Sequence, residues 1–177
     1  MELNYNLKFC IMTPEQFVKK YLPEAKKVEA RTGFHYLIPL TQAALESGWG
    51  SRAVGNNFFG IKDTDGVNGN EQLITTTEYL PTATAKFPVI LKVVQLGVKR
   101  FKYTVKDYFR KYQSASPAFE DHVNFYLRNP RYKAALQYKN NPGRFFEEIA
   151  KAGYATAPDY AVQLKAVMQS VIKRLPK

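Results

Sequence analysis

Apolar positions recur at helical spacing over most of the chain and alternate in only one stretch. Thr13 and Gln16 form a predicted capping box, Pro14 suits a first helical position, and Phe17, Val18, Tyr21 and Leu22 follow as a stripe. Pro23 predicts a break or kink, with a second helix from Glu24 to Thr32 before Gly33. A central helix is predicted over His35 to Trp49, with Pro39 near its first turn. There Ile38, Gln42, Leu45 and Trp49 share the buried spacing, and Gly48 and Gly50 supply the stop. After Gly55 the pattern changes. Phe58, Phe59 and Ile61 suggest an extended segment, Asp65-Gly66 and Asn68-Gly69 signal turns, and threonine-rich Leu73 to Leu80 alternates as a strand does. Pro81 to Lys106 has no clean period and fits an extra hairpin, a lid or plain β structure.

Helical spacing then resumes. Ser116 as N-cap and Pro117 as first residue predict a helix to Arg128 that buries Phe119, Val123, Tyr126 and Leu127. Asn129-Pro130 and Asn141-Pro142 start two more, the second closed by Gly153. A last helix from about Pro158 puts Tyr160, Leu164, Val167, Met168, Val171 and Ile172 on one side. With no repeat and no linker, the expected organisation is an arm over residues 1–12, ordered by Tyr5, Leu7 and Phe9, and one domain over 13–177.

Charge narrows the partners. Twenty-six lysines and arginines against 15 acidic residues give +11, with a dense basic run from Lys99 to Lys111, so an anionic partner is expected. Nucleic acid, acidic membrane surfaces and bacterial wall polymers all qualify. Nucleic acid is the weakest of these, since neither zinc-finger spacing nor an arginine-rich arm is present. The lone Cys10 excludes an intrachain disulfide and any multi-cysteine metal site. His35 and His122 fall on helical patterns far apart and suit structural roles better than metal ligation. No GxSxG motif is found, so chemistry would fall to carboxylates and tyrosines. No segment is long and apolar enough to cross a bilayer, and the start MELNYNLKFCIM lacks the basic opening and apolar run of a signal peptide.

One carboxylate stands out. Glu46 lies between Leu45 and the lone Trp49 in the last turn of the central helix. Poor solvation and the negative end of a helix both disfavour its charged form. A glutamate kept protonated near neutral pH is what a general acid for glycoside cleavage requires. A solvated or ion-paired glutamate at a helix end is the commoner occurrence, and composition alone favours it.

Five segments in order shift that balance: ALESGWG at 44–50, NNFFGIK at 56–62, TTTEY at 75–79, NPRY at 129–132 and AGYAT at 152–156. Together they resemble the glucosaminidase domain of bacterial autolysins and flagellar peptidoglycan hydrolases, glycoside hydrolase family 73. The resemblance spans about Tyr36 to Leu175. It implies a lysozyme-like α+β fold, mostly helical, with a cleft between a helical core and a small β lobe. It also implies endo-β-N-acetylglucosaminidase action on peptidoglycan strands and no metal or organic cofactor; separately, no stable membrane insertion and a monomer are expected.

Carried over residue by residue, the resemblance makes Glu46 the acid, Glu78 the second carboxylate and Tyr154 a phenol that orients the substrate's acetamido group. Trp49, Asn57, Phe58, Phe59 and Tyr132 become sugar contacts. Each has a plain structural alternative: Glu78 as a solvent-facing strand residue, Tyr154 as packing after Gly153, and the NNFFGIK aromatics as turn packing. Water activated by Glu78 and attack by the acetamido group both remain open. One departure is Ala157, where the family often has an aspartate; Thr156 is the candidate to cap the last helix instead. A muramidase on the same scaffold and a non-catalytic wall-binding domain are the competing readings.

Overall fold

The computed structural model describes residues 12–176, so the arm expected over residues 1–12 lies almost wholly outside the described residues. Two helices come first, α1 (Pro14–Thr32) and α2 (Leu37–Ser47), followed by three strands, β1 (Glu71–Leu80), β2 (Val89–Gly97) and β3 (Arg100–Arg110). The chain then returns to helix with α3 (Ala115–Arg128), α4 (Lys133–Leu136), α5 (Pro142–Lys151) and α6 (Tyr160–Ile172). The expected α+β architecture is therefore the observed one.

The capping box of α1 forms as its sequence predicts, with Gln16 N–H donating to Thr13 Oγ1 at 3.2 Å and Thr13 N–H donating to Gln16 Oε1 at 2.8 Å. Pro23 does not break the helix. Its missing N–H costs one internal bond, but Tyr21, Leu22, Ala25 and Val28 keep one buried stripe running past it. A fully buried side chain of this size contributes about 1.5–3 kcal/mol, so the stripe outweighs the break.

Helix α2 is shorter than its pattern. It begins at Leu37, whose N–H bonds His35 Nδ1 at 3.2 Å, and ends at Ser47. Leu37 to Ala44 are all buried, as suits a helix packed against α1, α3, α5 and α6. Helix α3 starts one residue before Ser116. That serine is buried and accepts from Arg31 at 2.6 Å instead of capping, while Leu127 is exposed and His122 joins the inner face. Asn141 caps α5 as expected, accepting from Arg144 N–H at 3.2 Å. The last helix opens at Asp159-Tyr160 without a side-chain cap, so Thr156 does not fill that role; Ile172 is exposed.

The strands form one antiparallel sheet in the order β1-β3-β2, with Glu78 opposite Tyr103. Pro81 to Lys106 is thus a hairpin rather than a lid. Polar pins join this lobe to the helices. Asn57 Nδ2 donates to the carbonyls of Ile61 at 2.8 Å and Arg110 at 3.0 Å, and Asn56 Nδ2 to that of Tyr112 at 2.8 Å.

Candidate active site

Glu46 reaches its position because α2 ends one residue after it. Gly48 turns the chain into the left-handed region (φ 57°), which a side chain resists. A Cβ there would also meet the Arg52 guanidinium at 2.8 Å. That guanidinium donates to the Glu46 carbonyl at 3.1 Å, closing the turn over the helix end. Trp49 follows with φ 56° and packs edge-on against Phe17 at 5.7 Å.

The Glu46 carboxyl is held from the far end of the chain. Tyr160 Oη donates to Oε1 at 2.6 Å. Behind Tyr160 lies fully buried Gln42, whose Nε2 donates to Tyr126 Oη at 2.7 Å and reaches Tyr160 Oη at 3.4 Å. Gln42 Oε1 accepts from Tyr126 Oη at 3.0 Å and meets His122 Nε2 at 3.2 Å, so that nitrogen carries the proton. Burial lowers the His122 pKa to about 3, which keeps the ring neutral. Burial, then the neighbouring Tyr154 and Glu46, push the Tyr160 phenol well above its ordinary range. Burial and the Glu46 charge do the same to Tyr154. Both phenols therefore stay protonated and able to donate.

Aromatic rings extend this wall. Phe59 stacks on His122 at 3.8 Å and 4°, and Tyr154 stacks on Tyr160 at 5.5 Å and 18°. Arg131 of NPRY donates from Nε to the Ala152 carbonyl at 3.0 Å and from its other arm to the Gly153 carbonyl, fixing the backbone just before Tyr154. The opposite rim is basic. Arg110 and Arg128 both reach Asp121, at 2.9 and 3.0 Å, and Tyr112 donates to it at 2.7 Å. Burial works against the Asp121 charge, but these donors outweigh it and hold the carboxyl below its usual range.

A cleft of about 870 Å³ runs between these walls, lined by Glu46, Phe59, Lys62, Tyr132, Tyr154 and Tyr160 among others. A smaller depression of about 320 Å³, lined by Asn57, Thr75 and Thr76, shares Glu46, Arg52 and Gly60 with it. Glu46 thus lines both hollows.

The remaining expected site residues divide. Glu78 does not line either hollow. It pairs with Lys62 Nζ at 2.8 Å, and Asp107 pairs with the same ammonium at 2.9 Å. Burial opposes the charge on Lys62, but those two partners hold its pKa above the ordinary lysine value. Phe58 is 2% exposed, with its ring 4.9 Å from Tyr21 and 5.3 Å from Phe119, so it is core and touches only the floor of the smaller hollow. Trp49 faces Phe17 and the Arg174 guanidinium and is absent from the cleft lining, and Asn57 is consumed in pinning its own loop. Sequence reasoning missed Tyr160, Gln42, Asp121 and Arg110 as site residues. A tyrosine in phase with Leu164 on a buried stripe needs a partner for its hydroxyl, and that need was the available signal for Tyr160.

The sequence matches the family described as Glucosaminidase, mannosyl-glycoprotein endo-beta-N-acetylglucosaminidase, over residues 22–173. The chain belongs to this glucosaminidase family. It is 33% identical over 164 residues to peptidoglycan hydrolase FlgJ of Pseudomonas aeruginosa, a match covering 89% of this chain and 36% of that protein. It is 30% identical to exo-glucosaminidase LytG of Bacillus subtilis, over 77% of this chain and 44% of LytG. The chain thus spans between a third and a half of these curated relatives. Among solved structures, a C-terminally truncated glycoside hydrolase domain of Salmonella typhimurium FlgJ superposes with a TM-score of 0.68. That match is 32% identical and covers 93% of this chain and all of the other. The helical core, small β lobe and intervening cleft are those of this lysozyme-like glycoside hydrolase domain.

Proposed function

We propose that this chain is a peptidoglycan hydrolase. It cuts the β-1,4 bond after N-acetylglucosamine in the glycan strand, as an endo-β-N-acetylglucosaminidase acting at the bacterial cell wall, in the periplasm or outside the cell. Residues 13–177 act as one domain and as a monomer. The observation that carries this reading is that Glu46 lines both hollows: a strand lying across them presents an internal glycosidic oxygen to its carboxyl. Family membership supplies the sugar class.

Glu46 protonates the leaving oxygen. Tyr160 occupies Oε1, and among the described residues no side chain bonds Oε2, so Oε2 is the oxygen that carries and delivers the proton. The engagement of Glu78 with Lys62 and the presence of Tyr154 on the cleft wall favour the acetamido group as nucleophile. Its carbonyl oxygen attacks the anomeric carbon as the leaving oxygen takes the Glu46 proton. Tyr154 hydrogen-bonds and orients the acetamide. Water, deprotonated by Glu46, then opens the cyclic intermediate from the face the leaving group vacated, so the β configuration is retained. Glu78 supports the reaction through the Lys62 cation at the rim, and Phe59 and Tyr132 supply aromatic surface for sugar rings.

Mass spectrometry of borohydride-reduced products from purified wall tests the reading. N-acetylglucosaminitol at the new reducing ends is expected. N-acetylmuramitol would make the enzyme a muramidase, and an absence of new ends would leave a wall-binding domain.

A further inference from the structure

Strand β2 and its turn form the least buried apolar surface of the lobe. Leu91, Val93 and Leu96 are each exposed, Leu96 at 48%, and Val98 at the tip is 92% exposed. None of them lines either hollow. Isolated exposed aliphatics are ordinary, but a run of them on one edge strand marks a contact surface. Up to Lys106 the same hairpin carries cations and no acidic residue. Lys86, Lys92, Lys99, Arg100, Lys102 and Lys106 lie in a stretch from Tyr79 to Lys106 that contains no aspartate or glutamate. Among the described residues, none of those cations pairs with a carboxylate.

We propose that the β2–β3 hairpin docks on an anionic phospholipid bilayer, with Val98 and Leu96 entering the headgroup region and the surrounding lysines and arginine meeting the lipid phosphates. Charge complementarity selects an anionic partner. The exposed aliphatics select a bilayer over a hydrated anionic polymer, which has no apolar interior to receive them. A second copy fits less well. Pairing two β2 edges would bring like cations together, and Lys92 sits at a register shift between Ile90 and Lys92 that interrupts strand addition. Lysine stems can lie along the apolar edge while their ammonium groups reach outward, so both chemistries act on one surface. Held this way, the lobe tip faces the membrane and the cleft remains open, since Leu96, Val98, Lys99 and Arg100 lie outside it. The inference is independent of the hydrolase reading, because it is measured without wall substrate.

The test is co-sedimentation of the full chain with vesicles of phosphatidylcholine containing phosphatidylglycerol, and with vesicles of phosphatidylcholine alone. Binding to the mixed vesicles only is expected, weakening as salt rises. Two variants separate the contributions: Leu96→Ser/Val98→Ser and Lys99→Glu/Arg100→Glu. Each should lower partitioning by about tenfold or more, with circular dichroism melting unchanged. Because Lys99 and Arg100 are exposed, the charge pair keeps the test decisive should the apolar pair unfold. No binding by the parent chain, or binding by both variants as strong as the parent's, overturns the proposal. Self-association in sedimentation velocity that is lost in Leu96→Ser/Val98→Ser, without vesicle binding, would assign the surface to a second copy instead.

Discussion

Glu46 and Glu78 come from the two halves of the fold and are held in opposite ways. Glu46 ends a buried helix and accepts from a neutral phenol that is itself backed by buried Gln42. Glu78 sits on a strand and pairs with an ammonium it shares with Asp107. Glu46 thus has one oxygen bonded by a neutral donor, whereas Glu78 lies in an ion pair. The same contrast runs through both regions. Around Glu46 the helical side is ordered by hydrogen bonds among neutral groups centred on Gln42, whereas Glu78 on the lobe lies in an ion-pair cluster with Lys62 and Asp107. In the proposed mechanism proton transfer belongs to the helical side, and electrostatic support to the lobe.

Removing the acid should have the largest effect. Glu46→Gln keeps the side-chain shape and should fold normally, yet lower turnover on a chitooligosaccharide by about 100-fold or more, the scale of a positioned general acid. The comparison sharpens with the next pair. Tyr154→Phe should cost about 1–3 kcal/mol of transition-state stabilisation, and Glu78→Gln less, with proton NMR showing a retained β anomer. A Glu78→Gln loss as large as that of Glu46→Gln, with an inverted anomer, would move the base to the lobe.

A separate effect concerns stability. Folded His122 stays neutral down to about pH 3, whereas its ordinary value is 6.5. Between those values the unfolded chain binds the extra proton, so stability is complete above about pH 6.5 and falls as pH drops toward 3. The slope from this group is at most about 1.4 kcal/mol per pH unit. Urea unfolding across that range should show His122→Gln with a flatter decline than the parent chain.

Much of this was legible in the sequence because it is local. The Thr13–Gln16 box, the Gly48 stop and the Asn141 cap are each decided within a few residues. The strand at Leu73 to Leu80 was visible for the same reason, as part of β1. Pro23 misled because its local penalty is overruled by a stripe that packs on other helices. The site was harder. Glu46 and Tyr160 are 114 residues apart, and Gln42 and Tyr126 are 84 apart, so no spacing rule joins them. Phe58 and Phe59 are adjacent and similar, yet one is core and the other stacks on His122 at the cleft. Only the direction of the turn separates them, and composition does not encode it.

The most direct test of the helical side as the seat of proton transfer is a double-mutant cycle between Glu46 and Tyr160. Alone, Tyr160→Phe removes the donor to Oε1 and should lower kcat by about 10- to 100-fold while KM changes little. In the Glu46→Gln background the same change should cost almost nothing, because Tyr160 acts through the carboxyl it holds. A Tyr160→Phe loss of equal size in both backgrounds would contradict this, since Tyr160 would then act on the substrate or the fold and not through Glu46.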